Sequence, residues 1–233
     1  MRTPSRIPDR LAGRFGPLLA PASTPYHQET EQVRRRRQVA VAVVLVIGAV
    51  LLGFALNQPQ GSASFYVLAG VLAGVWLLGG LISGPVHLGR GRSGRRPILW
   101  PALAGALAFG VFAAGAEAVS WIPSLHHAVD DIIRRADSGS RALIDAITIV
   151  NGIGEEVFFR GAVYSAYGRR SAAIWTTVTY VVVTAAAGNL MLVLAAALMG
   201  TVFALERRAT RGILASAITH VVWSTMMIFL LPR

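Results

Sequence analysis

Long apolar runs separated by short polar connections dominate the chain from residue 39 onward. A helix needs about 20 mostly apolar residues to cross the hydrocarbon core, and somewhat fewer when its flanks reach the interface. Seven segments fit that requirement, at residues 39–56, 65–82, 97–119, 142–164, 171–187, 190–205 and 212–231. The fifth and sixth are short and joined only by Gly188 and Asn189, which predicts either a tight helical hairpin or a partly re-entrant pair held inside protein. The expected fold is therefore all-α, a polytopic membrane bundle of about seven to eight transmembrane helices. Between the third and fourth segments, Trp121 to Arg141 carries Asp130, Asp131, Arg134, Arg135 and Asp137 with apolar residues between them. That pattern fits an amphipathic helix at the outer interface or a solvated loop helix. The chain shows neither a repeat at periods of roughly 20 to 50 residues nor an inverted pair of interrupted helices, so a transporter built on duplicated halves finds no support.

The first 38 residues are rich in Pro, Arg, Ser and Thr and lack an apolar period. They are expected to form a basic disordered cytoplasmic tail attracted to anionic headgroups, ahead of a membrane domain at residues 39–233. The run at 39–56 is long enough to persist as a membrane helix and is not expected to be a cleavable signal.

Composition agrees with this picture: 54% of residues are hydrophobic and 14% charged, more apolar than a soluble core of this length needs. A net charge of +11 raises the question of nucleic acid, but the basic residues cluster between apolar runs rather than along a polar face, so no nucleic-acid partner is expected. All 22 basic side chains are Arg. With the N-terminus cytoplasmic, the inner side collects Arg34, Arg35, Arg36, Arg37, Arg90, Arg92, Arg95, Arg96, Arg169, Arg170, Arg207, Arg208 and Arg211. The outer side has only Arg134, Arg135, Arg141 and Arg233. The positive-inside rule therefore predicts a cytoplasmic N-terminus, and the expected location is the plasma (inner) membrane of a bacterium. The absence of cysteine excludes disulfides, thiol nucleophiles and thiolate metal sites.

Against this apolar background, three charges stand together in the fourth segment: Glu155, Glu156 and Arg160. An ionisable side chain at the bilayer centre costs at least ~2.5 kcal/mol on insertion scales, so it normally has a partner or a water-filled cavity. Glu156 and Arg160, four residues apart, share a helix face and can pair. Glu155 points about 140° from Arg160, toward another helix or a cavity, with Asn151 one turn earlier on its side. A carboxylate left out of an ion pair is a candidate general base, whereas the alternative is a buried ion network that only fixes packing. His220 is the one histidine inside a predicted helix, with Ser224 four residues on, and it can reach the same cavity. A lone intramembrane histidine is otherwise an ordinary hydrogen-bonded packing residue. Asp145 and Glu117 lie near the outer ends and outline no ion pathway. Ser165 and Ser216 have no evident base.

The run Glu155-Glu156-Val157-Phe158-Phe159-Arg160-Gly161 resembles the E-E-x-x-x-R motif of the CPBP intramembrane glutamic endopeptidases, which include CAAX prenyl proteases and Abi-type bacteriocin-processing proteins. The resemblance extends through Gly200, the basic turn from Glu206 to Arg211, and His220, over about 142–231. It implies an intramembrane peptidase acting on a peptide or membrane protein among membrane lipids, in a cavity open to the cytoplasm. Glu155 would activate water, Glu156 and Arg160 would support it, and His220 would hold or polarise the water and the substrate carbonyl. Two positions depart from the family pattern. Thr184, in Tyr180-Val181-Val182-Val183-Thr184, stands where the second motif has histidine, with Asn189 nearby, and Ser224 stands where the last motif ends in Asn. Thr184, Asn189 and Ser224 can hydrogen-bond a water or an oxyanion, but none replaces histidine as a proton acceptor. No cofactor is expected: two adjacent glutamates and one histidine, without H-E-x-x-H, are a poor zinc ligand set. The departures favour a second reading, a catalytically inactive relative acting as a membrane scaffold, immunity or chaperone-like subunit.

Overall fold

The computed structural model describes residues 31–59, 61–91, 94–119, 121–137, 140–167 and 171–230. Among these residues the regular structure is entirely helical. Helix α1 spans Glu31–Leu56, α2 Ala63–Ser83, α3 Leu99–Val119 and α4 Pro123–Asp137. Helix α5 (Arg141–Glu155) runs without a break into a π-helical segment (Glu156–Val163) and a last turn, α6 (Tyr164–Ala166). Helices α7 (Ala172–Ala185), α8 (Leu190–Thr210) and α9 (Leu214–Leu230) complete the chain.

Each of the seven apolar segments is a helix, and the polar 121–141 stretch contributes α4. Four of them, α1, α2, α3 and α8, are long and apolar enough to cross a membrane, and α7 and α9 are shorter apolar helices. The chain is a membrane protein. Its outer surface agrees: Leu99, Leu103, Leu107 and Val111 recur every four residues on α3, each more than half exposed, a stripe of the kind that lipid covers. Helix α1 starts eight residues before its apolar run, because Arg has good helix propensity and Glu31 lies favourably in the first turn. The expected tail is thus helical from Glu31 onward, and residues 1–30 lie outside the described residues.

Helices α7 and α8 fold back as a tight hairpin. Gly188 takes the left-handed conformation (φ 69°) that an L side chain resists. Asn189 then caps α8, its Oδ1 accepting from the backbone N–H of Met191 and Leu192 at 2.9 and 3.3 Å. Helix α2 packs between α1 and α5, and its Trp76 joins Phe158, Phe159 and Val163 in a fully buried core.

The two ends of the bundle differ in character. At one end, the extended stretch after α2 crosses the turn between α8 and α9. There the N–H of Arg90 donates to Thr210 O (2.9 Å), and those of Ile213 and Leu214 donate to His87 O (2.9 Å) and Leu88 O (3.1 Å). Gly212 lies so close to Leu88 and Gly89 that a Cβ would overlap their backbone. This end carries the described arginines of the α1 start, the α2–α3 connection and the end of α8. The opposite end carries the α1–α2 and α7–α8 turns and α4, which is pinned by Asn189 Nδ2 donating to Ala128 O at 2.9 Å.

Candidate active site

The site is built around the π-helical segment, all eight residues of which are buried. Its register shows in the N–H of Tyr164, which reaches back five residues to Phe159 O. Neighbouring helices supply further bonds: the Thr176 hydroxyl donates to Phe159 O at 2.6 Å and Arg207 Nε to Arg160 O at 2.8 Å. Such side-chain support helps hold open a helical register that is rare and concentrated at functional positions.

Arg160 is fully buried, so its charge must be answered locally. Its Nη1 donates to Glu156 Oε1 at 2.9 Å and its Nη2 to Gly200 O at 3.1 Å. The guanidinium carbon lies 4.7 Å from the Tyr180 ring centroid and 4.9 Å from that of Phe203, so the cation is sandwiched between two aromatic faces. Glu156 Oε1 is also 3.1 Å from His220 Nδ1. An ionised carboxylate only accepts, so Nδ1 carries the proton and Nε2 is turned the other way, an acceptor in the neutral ring and a donor once protonated. The imidazole stacks on Phe203 at 4.8 Å between centroids.

Glu155 stands apart from this dry network. Its Oε2 accepts from the Tyr180 hydroxyl at 2.8 Å and lies 4.0 Å from His220 Nε2. Its side chain keeps 20% of its surface accessible, against none for Glu156. It faces a cavity of about 320 Å³ whose polar lining includes Asn151, Glu155, Tyr180, Thr184 and His220, with Trp223 beside them. The rest of the wall is mostly aliphatic.

Glu155 and His220 are therefore brought together, and Glu156 and Arg160 pair beneath them. The supporting polar residues divide. Asn151 lines the cavity, with Nδ2 donating to Ala69 O and Ile147 O at 3.1 Å each. Thr184 also lines it, but its hydroxyl donates to Tyr180 O at 2.8 Å. Asn189 is not in the wall, because it is committed to capping α8 and holding α4. Ser224 donates to His220 O at 2.8 Å on its own helix and is likewise outside the wall. Two contributors went unpredicted. Tyr180 had a signal, since a tyrosine within a membrane helix needs a partner for its hydroxyl. Glu206, buried near the end of α8, accepts from the Thr219 hydroxyl at 2.7 Å beside His220, and its place in a basic turn disguised it as a surface charge. Among the described residues, no group of three or more His, Asp or Glu side chains is arranged to hold a metal ion.

This arrangement of adjacent glutamates, arginine and late histidine falls within one stretch of chain. Residues 138–226 match the Rce1-like family. That family is described as type II CAAX prenyl endopeptidase Rce1-like. The match runs from just before α5 into α9, so the Rce1-like segment contains the π-helical segment, Tyr180, Thr184 and His220. The resemblance carried by the E-E-x-x-x-R run is thus found by an independent comparison. No curated protein and no solved structure matches the chain.

Proposed function

We propose that the protein is an intramembrane peptidase in which Glu155 activates the water that attacks a peptide bond. The Rce1-like match supports a protease of the CAAX type, and the division of labour between the two glutamates supports the mechanism. One carboxylate is dry and ion-paired, while its neighbour faces a cavity next to an imidazole nitrogen. In the attacking step, Glu155 takes a proton from water as the water oxygen bonds to the carbonyl carbon. When the C–N bond breaks, that proton passes to the leaving nitrogen. Tyr180 steadies one carboxylate oxygen, leaving the other for water. His220, oriented by Glu156, presents Nε2 to the reacting carbonyl and in its protonated form donates to the developing oxyanion. The substrate is a peptide or membrane protein, the setting a bacterial plasma membrane with the N-terminus cytoplasmic, and nucleic acid has no part.

The test compares new peptide termini in membranes carrying the native protein with those carrying Glu155→Gln at equal abundance. Termini present only with the native protein support the mechanism, and identical sets refute it.

One observation favours the inactive scaffold, immunity or chaperone-like relative. The hydroxyls of Thr184 and Ser224 and the amide of Asn189 are all spent on backbone groups, so neither departing motif aims a donor at the cavity. Under that reading, the native and Glu155→Gln membranes yield the same termini.

A further inference from the structure

Resting on the peptidase reading, we propose that the cavity opens away from the Arg-rich end of the bundle and admits an uncharged, apolar polypeptide segment from the non-cytoplasmic side. The wall residues locate the mouth. Leu52 and Leu56 close α1, Phe65 opens α2, Ala187 follows α7 and Leu192 begins α8, and all belong to the end that carries α4 and the α7–α8 turn. Glu155 and His220 form the deep end. Toward the arginines, the path is plugged by Phe158, Phe159, Arg160, Val163 and Phe203, each with no accessible surface, and beyond them by the crossing of Leu88 and Gly89 over Gly212.

The arginines fix which side that is. Positive connections stay cytoplasmic, so a cavity walled by the opposite halves of the helices faces outward. A cytoplasmic N-terminus and a cytoplasmic mouth, both expected from the sequence, cannot hold together in this structure, and the arginine placement decides in favour of the first. Helix α4 agrees: tethered to Asn189 beside the mouth, with Asp131 and Arg134 exposed, it has the form of a helix lying at the outer interface.

The lining also restricts the occupant. Apart from Glu155 and His220 the wall carries no ionisable group other than the Tyr180 phenol, so a charged side chain or headgroup entering it would be desolvated without a partner. Leu52, Leu56, Phe65 and Trp223 instead suit apolar side chains flanking the scissile bond.

The chain has no cysteine, so single thiols report access directly. The variants Leu56→Cys and Ala187→Cys mark the mouth, and His87→Cys, exposed in the α2–α3 connection, marks the arginine end. A membrane-impermeant maleimide is applied to intact spheroplasts and to inverted vesicles, with total thiol measured after denaturation. The expected result is labelling of the mouth thiols in spheroplasts and loss of that labelling in inverted vesicles, with His87→Cys behaving oppositely. Mouth thiols reactive only in inverted vesicles, or from neither side, overturn the proposal. The readout needs no turnover, so an inactive protein leaves this test standing, and a misplaced mouth leaves the role of Glu155 untouched.

Discussion

Replacing Glu156 by Ala removes the carboxylate that is hydrogen-bonded to a cation with no access to solvent. Arg160 would keep the Gly200 carbonyl at 3.1 Å and the faces of Tyr180 and Phe203, but would lose its 2.9 Å ionic bond. His220 would lose the acceptor for Nδ1 in the same substitution. Breaking one side of a buried ion pair costs about 3–5 kcal/mol, a large part of the roughly 5–15 kcal/mol that stabilises a typical domain. At about 2–4 °C per kcal/mol for a chain of this size, the melting temperature should fall by roughly 6–20 °C. Glu156→Gln, which keeps an acceptor and loses only the charge, should fall by less. The double variant Glu156→Met with Arg160→Met, which removes both charges, should recover much of the loss. Thermal unfolding of the purified protein in detergent, read alongside membrane yield, checks the order. An unchanged melting temperature for Glu156→Ala, or a double variant worse than the single, would refute the pairing argument.

Three further outcomes follow from the geometry. Tyr180→Phe keeps an aromatic face over Arg160 but removes the hydroxyl from Glu155; turnover should drop about tenfold, the equivalent of one hydrogen bond of ~1.4 kcal/mol, with the melting temperature nearly unchanged. Asn189→Ala should cost about 1 kcal/mol of stability through the lost cap, as read by thermal unfolding, while turnover at a permissive temperature stays near the native rate. Gly212→Ala should prevent accumulation of folded protein, measured as membrane yield, because the new Cβ meets backbone rather than a side chain that can move.

The order of the apolar helices was legible because long apolar runs are a direct demand of the bilayer: all seven runs are helical, and four of those helices are long and apolar enough to cross a membrane. The start of α1 was less legible, since arginines that favour helix are indistinguishable by hydropathy from a polar tail. The Glu156–Arg160 pair followed from helical spacing, but the π register around it did not, because it depends on Thr176 and Arg207 arriving from other helices. Asn189 lies near Thr184 in sequence, but an asparagine immediately before an apolar run is a recognisable helix start, and here it caps α8. Ser224 lay on the His220 face as expected, yet a serine inside an apolar helix commonly bonds the carbonyl four residues back, as it does here. Tyr180 reads as core among its apolar neighbours, and only the need of its hydroxyl for a partner marks it out.

The account depends most on the Glu155 carboxylate as the base, and hydrolysis of a quenched fluorogenic peptide by the purified protein in lipid tests it directly. General-base catalysis contributes about 10²–10⁴-fold, so Glu155→Gln should lose at least about 100-fold in turnover while unfolding at nearly the native temperature. A folded Glu155→Gln protein that cleaves within about tenfold of the native rate would contradict the mechanism.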